Sequence, residues 1–249
     1  MSTDAQAQST AAGFNVSPPA LPPAKADLPP LENGDRLSRA EFERRYEAMP
    51  EIKKAELVDG VVYLMSSPVS NEFHGAPHFE LNTWLGVYSA NTAGVEGCDN
   101  ATLRLDWDNE PQPDAALRVL PGYGGQSTND GQYVGGAPEL CCEIAATSAS
   151  YDLHQKKDAF RRSGVREYLV WRTRDRAIDW FALRGGVYEP LSPNADGVLQ
   201  SEVFPGLWLP VEAMLARDMP RVLATLNEGL QSDAYRQFRD RLAEAGPTA

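Results

Sequence analysis

Cysteine is scarce in this chain, with three residues in 249: Cys141 and Cys142 are adjacent, Cys98 stands alone, and no C-x-x-C pair occurs. An odd count without ligand spacing excludes a disulfide framework and a thiolate zinc site, and leaves these residues as small buried hydrophobes. Long apolar runs are missing as well. Nothing approaches the ~20 consecutive apolar residues of a membrane helix, and the N-terminus lacks the basic-then-apolar pattern of a signal peptide. These absences point to a cytoplasmic protein without a membrane partner. Positive charge is in deficit too: 23 Lys and Arg face 35 Asp and Glu, a formal charge of −12. Such a surface repels phosphates at long range and gives no general electrostatic steering towards nucleic acid. The glycine-rich stretch 121–136 reads as a loop between strands, and it contains neither G-x-G-x-x-G nor G-K-[ST], which excludes a phosphate-binding loop.

What is present is an ordinary globular composition, with 42% hydrophobic and 23% charged residues. The charge is uneven. Asp152 to Arg184 holds nine Lys or Arg and five Asp or Glu, a local +4 against −16 for the remainder. Such a segment suits a localised anion-facing surface or a solvated helix and hairpin.

Residues 1–35 read as a disordered Pro/Ala-rich arm, because Ser17-Pro18-Pro19-Ala20-Leu21-Pro22-Pro23 and Pro29-Pro30 sustain neither helix nor sheet. A main domain is expected over 36–225 and a C-terminal helical tail over 226–249. Ser38 with Glu41 signals a helix start, with Phe42 and Tyr46 on one face. Ala55–Val58 and Val61–Met65 flank Asp59-Gly60, a two-residue hairpin turn. Leu81, Trp84, Leu85 and Tyr88 form an apolar helical stripe within about 76–90, with Pro77 tolerated in its first turn. Strands are expected over 101–107, 112–120, 140–145, 166–171, 177–183 and 187–190. The 101–107 strand would carry Leu103, Leu105 and Trp107 on one face. Helices are expected near 151–163, ended by Gly164, and near 211–229 and 232–245. Helices on either side of a mixed sheet make this an α/β fold.

Two carboxylates sit awkwardly in otherwise apolar strands: Asp114, in Pro113-Asp114-Ala115-Ala116-Leu117, and Glu143, near the end of 140–145. A carboxylate on a central strand is costly unless paired or bound to a cation. Two that converge make a hard-oxygen site suited to Mg²⁺ or Mn²⁺. Taken singly, each could also be an edge residue facing solvent.

Seven elements in order carry a resemblance. They are Glu56-Leu57-Val58-Asp59-Gly60, His74, Pro113-Asp114, Pro138-Glu139-Leu140 leading to Glu143, Asp152-x-x-x-Lys156 with Phe160, Gly164-Val165-Arg166-Glu167-Tyr168, and Phe204-Pro205-Gly206-Leu207. Over roughly residues 38–220 the chain resembles the Uma2 family of restriction-endonuclease-like proteins in the PD-(D/E)xK superfamily. The resemblance implies a restriction-endonuclease-like central mixed β-sheet flanked by helices. It also implies metal ligands Asp114 and Glu143, with Glu56 completing the acidic cluster. The superfamily lysine, two residues after the second acid, is replaced here by Ala145, and the matching lysine of the following helix is Lys156. Leu153, Lys156, Lys157 and Phe160 share a helical stripe, so geometry alone admits either lysine. The alternative for Lys156 is a surface pair with Asp152. His74 is expected in a capping or supporting role, Tyr151 and Tyr168 in packing. The family's Ser-Pro pair after the second acid is Ala146-Thr147 here.

The chemistry implied is Mg²⁺- or Mn²⁺-dependent hydrolysis of nucleic-acid phosphodiesters, DNA in the first place, by an enzyme that by analogy with its superfamily could be a homodimer. Two other functions compete. One is a non-catalytic adaptor on the same fold, its carboxylates solvated or paired with arginines. The other is a metal-dependent hydrolase of a small phosphodiester, which tolerates the −12 charge more easily.

Overall fold

The computed structural model describes residues 28–65 and 68–247, so residues 1–27 of the expected arm lie outside the described residues. The described end of that arm is folded. Leu31 is buried with Phe42, Ala55, Leu57 and Val62, and Gly34 and Asp35 exchange backbone hydrogen bonds with Val62. An apolar side chain within reach of the first hairpin therefore extends the fold N-terminal of residue 36.

Helix α1 (Arg39–Glu47) starts where expected, with the Ser38 hydroxyl accepting from the Glu41 amide. The Glu41 carboxylate does not complete the reciprocal cap and pairs with Arg44 and Arg45 instead. Strands β1 (Ala55–Val58) and β2 (Val61–Leu64) pair antiparallel. Asp59 and Gly60 take φ of 53° and 70° at their turn, as a two-residue hairpin requires.

The central sheet has six strands in the order β11-β10-β9-β8-β5-β3. They are β3 (Val95–Asp99), β5 (Ala115–Val119), β8 (Leu140–Ala145), β9 (Glu167–Arg172), β10 (Ala177–Arg184) and β11 (Val187–Pro190). The β8–β9 pair is parallel and the others antiparallel. A parallel pair needs a crossover, supplied here by a helical segment in three parts: α3 (Ala149–Tyr151), a π-helical turn (Asp152–Lys156) and α4 (Lys157–Ser163). Gly164 ends it at φ 85°, the left-handed conformation in which glycine costs least.

The period-two alternation of β8 sorts its side chains between two cores. Leu140, Cys142 and Ile144 join the Leu81–Trp84–Leu85–Tyr88 stripe of α2 (Ala76–Asn91). Cys141 and Ala145 face the opposite layer with Phe160, Val165 and Tyr168. Each large buried apolar side chain contributes about 1.5–3 kcal/mol, so the alternation alone fixes which way Glu143 points. It lies on the Cys141 side, towards the crossover helix. The tail expected over 226–249 supplies Leu226, Tyr235, Phe238 and Leu242 to the larger core through α6 (Met219–Gly229) and α7 (Asp233–Ala245). No described helix is long and apolar enough to cross a membrane.

Three expectations need correction. The strand over 101–107 shrinks to β4 (Leu103–Arg104). The Asp106 carboxylate accepts from the Asp108 amide and the Asn109 side chain, so the chain turns there and leaves Trp107 77% exposed. The glycine-rich stretch is not simply a loop. It folds into β6 (Thr128–Asp130) and β7 (Tyr133–Gly135), and β7 pairs parallel with β4. The helix expected over 211–229 is two, α5 (Val211–Leu215) and α6, because Asp218 caps a new helix that opens with Met219-Pro220.

Candidate active site

A cavity of about 650 Å³ opens where the end of β8, the residue before β5, the first hairpin and the crossover helix meet. Glu56, Asp114, Glu143, Lys156 and His74 all line it. The structure thus brings together every residue singled out from the sequence.

Asp114 precedes β5, whose register sets Ala115 opposite Cys142. One step further along, Asp114 and Glu143 are cross-strand neighbours, and directly opposed side chains share a face of the sheet. Asp114 Oδ2 accepts from the Ile144 amide at 2.8 Å and lies 3.3 Å from His74 Nε2. Its Oδ1 lies 3.5 Å from Lys54 Nζ. Burial favours the neutral acid, yet His74, Lys54 and the Ile144 amide outweigh it and hold the Asp114 pKa well below the usual carboxylate range. Asp114 is therefore ionised.

Glu143 presents a different balance. Burial lifts its pKa well above the ordinary value, against the pull of Lys156. Lys156 Nζ sits 2.7 Å from Glu143 Oε1 and 2.9 Å from Glu56 Oε1. Burial works against the ammonium, but Glu143 and Glu56 outweigh it and raise the Lys156 pKa well above that of a free lysine. The surface pair with Asp152 is not what forms. Asp152 takes the Ser148 hydroxyl at 2.5 Å, and burial pushes its pKa up to about 6. Glu56, within β1, is fully enclosed. It accepts from the Gln112 amide and Lys156, both at 2.9 Å, and from the Tyr151 hydroxyl at 3.4 Å.

Local helix geometry decides between the two lysines. Asp152–Lys156 is a π-helical turn, with the Lys157 amide bonded to the Asp152 carbonyl. That bulge turns Lys156 into the site and sets the Lys157 ammonium 3.4 Å over the Phe181 ring. His74 also comes from a π-helical turn, Asn71–Gly75, which runs into α2. Such bulges are frequent at functional sites because they re-aim a side chain. His78, one turn into α2, has Nε2 2.8 Å from the Asp114 carbonyl and 3.0 Å from Asp99 Oδ1. His154 is exposed.

Sequence reasoning missed several lining residues. Tyr151, read as packing, borders the cavity; Tyr168 does pack, donating to the Asp152 carbonyl at 3.1 Å. Lys54, Ser148, Asp152 and Arg174 also line the cavity. The only sequence signal for Lys54 is its place two residues before Glu56 on the incoming strand side. The local +4 surplus is largely consumed within the fold. Acids outside the segment take up Lys156 (Glu56 and Glu143), Arg162 (Asp59) and Arg184 (Glu189 and Glu202).

Asp114 and Glu143 fit a hard divalent cation by the chemistry of their donors alone: both are carboxylates on the wall of one cavity. Among the described residues no three His, Cys, Asp or Glu side chains are grouped to hold a metal ion. Two carboxylates match the habit of Mg²⁺, which keeps several waters and takes one or two carboxylates together with substrate phosphates.

The profile of a family described as "Uma2: Putative restriction endonuclease" matches residues 39–212. The fold is also similar to a crystal structure described as "a putative nuclease belonging to DUF820 from Anabaena variabilis ATCC 29413". That likeness covers 73% of this chain and 97% of the other, at 11% sequence identity and a TM-score of 0.49. No curated protein matches the chain.

Proposed function

Since the chain belongs to the Uma2 family, we propose that it is a divalent-metal-dependent phosphodiesterase acting on nucleic acid, with DNA as the first substrate to try. The observation that carries this reading is convergence. Glu56, Asp114, Glu143 and Lys156 come from four separated stretches and are each at most 4% exposed, yet they meet on the wall of one cavity. Packing gives no reason to bury these three acids, even with Lys156 beside Glu56 and Glu143 and with Lys54 and His74 beside Asp114, since the desolvation cost of such groups commonly exceeds what their pairing returns.

In this reading Asp114 and Glu143 hold the cation, Mg²⁺ or Mn²⁺. Bound there, it supplies Lewis-acid polarisation of a scissile phosphate and a lowered pKa for a coordinated water. The remaining steps belong to the chain. Asp114 stays ionised because His74 and Lys54 compensate its charge, and the Ile144 amide fixes its orientation. Lys156 holds the Glu143 carboxylate in place and puts a positive charge on the cavity wall, against which charge developing on phosphoryl oxygens is stabilised. Glu56 anchors Lys156 from the far side and is itself anchored by the Gln112 amide.

The −12 formal charge favours a second reading, hydrolysis of a small phosphodiester, because a small substrate needs no steering surface. Titration calorimetry with Mn²⁺ tests the part common to both. Wild type is expected to bind, and Asp114→Asn and Glu143→Gln to lose most of that affinity. Absence of binding in wild type would replace both readings with a non-catalytic protein on the same fold.

A further inference from the structure

The turn between β9 and β10, residues 173–176, leans over the cavity that holds the acidic cluster. It is fastened there twice. The Thr173 hydroxyl donates to the Phe73 carbonyl at 2.6 Å, and the Arg174 guanidinium lies 4.3 Å over the Phe73 ring. Phe73 belongs to the same π-helical turn that presents His74 to Asp114. The stack therefore ties Arg174 to the site's own framework.

Arg174 stands apart from its neighbours in charge. Arg172 occupies Asp175 and Asp179, and among the described residues no carboxylate lies within ion-pair distance of Arg174. It is nevertheless an exposed side chain on the cavity wall. A guanidinium stacked on an aromatic face keeps its edge N–H donors free, in the fork geometry that matches a phosphate bidentately. Its stem is already ordered by the ring, so less freedom is lost on binding. The same cavity is lined by four acids, Glu56, Asp114, Glu143 and Asp152, and by two lysines already paired with three of them, Lys54 and Lys156. The wall thus presents a fixed cation at the opening beside an acidic centre. A small phosphodiester held at that centre has no second phosphate to offer such a wall. A polynucleotide strand has one on either side of the scissile bond.

We propose that Arg174, propped on Phe73, binds the phosphate neighbouring the scissile one, and that the substrate is a nucleic-acid strand. This rests on the phosphodiesterase reading of the cavity and selects between its two substrate classes. Arg174 is the specificity determinant, Phe73 a positioning residue behind it.

The test is fluorescence anisotropy of a fluorescein-labelled single-stranded DNA 12-mer, in EDTA, on the full chain across a salt series. Arg174→Gln is expected to weaken binding about tenfold, the value of one charge-assisted contact, and to flatten the slope of log K against log salt by about 0.7. Arg174→Lys should keep the slope and recover part of the affinity. Phe73→Leu should weaken binding with the slope unchanged. Arg176→Gln, on the same turn but outside the cavity lining, is the control for diffuse charge and should bind like wild type. Equal affinity and slope in Arg174→Gln and wild type would overturn the inference. So would an Arg176→Gln loss as large as that of Arg174→Gln, or a wild type that does not bind the strand. Hydrolysis of bis(p-nitrophenyl) phosphate by wild type against Asp114→Asn, run in parallel with Mn²⁺, reports separately on the underlying reading.

Discussion

Lys156 Nζ stands between two carboxylates, 2.7 Å from Glu143 and 2.9 Å from Glu56, and is itself 3% exposed. One ammonium therefore compensates two buried acids. Removing it leaves both without a counter-charge in a low-dielectric interior, a change that costs about 3–5 kcal/mol. Lys156→Met is expected to lower the urea midpoint accordingly. Glu56→Gln combined with Lys156→Met should recover part of that loss, because one of the stranded charges goes with it. A Lys156→Met midpoint equal to that of wild type would mean that the pair is not formed.

His74 Nε2 lies 3.3 Å from Asp114 Oδ2, and the histidine is part exposed at the cavity wall. A group that orients a metal-binding carboxylate typically changes affinity by about 10–100-fold when removed. His74→Ala is expected to weaken Mn²⁺ binding in that range while moving the melting temperature little. Calorimetry on the folded variant measures the first and thermal melting the second. Unchanged affinity would demote His74 to a capping residue.

Glu110 lies beside the Glu43 carboxyl away from the cavity, and burial, followed by Glu43, pushes its pKa up to about 8 against the pull of Arg104 and Arg39. An acid whose folded pKa exceeds its unfolded value of about 4.3 binds more protons folded than unfolded across the interval between them. Its contribution to stability is full below the unfolded value and is lost as pH rises through the folded one. Wild type should therefore lose stability from about pH 4.3 to 8, and Glu110→Gln, which cannot ionise, should show a flatter profile. Thermal melts across that window decide it, and parallel profiles would contradict the assignment.

Much of this architecture was legible because its determinants are local. Asp59-Gly60 announces its hairpin through two left-handed residues, and the Leu81–Trp84–Leu85–Tyr88 stripe announces a buried helix face. The alternation of Leu140–Ala145 already separates Glu143 from the Leu140 face. What stayed hidden is non-local or depends on a bulge. Pairing of β4 with β7 joins residues about thirty positions apart through two short strands, which leaves no periodicity to read. Trp107 looks like a strand residue until Asp106 is seen capping a turn. Lys156 and Lys157 are equivalent on a regular helix, and the π-helical turn that separates them has no composition of its own. Arg174 carries no sequence mark and Lys54 only its place two residues before Glu56, because they reach the cavity from the turn and strand-flanking segments that surround it.

The most direct test of the central claim is cleavage of supercoiled plasmid and single-stranded DNA by the purified chain at low salt. The assay is run with Mg²⁺, with Mn²⁺ and with EDTA, beside Asp114→Asn verified as folded by circular dichroism. The account predicts cutting that requires the cation and disappears in Asp114→Asn. Cutting that survives in Asp114→Asn, or that proceeds equally in EDTA, would contradict it.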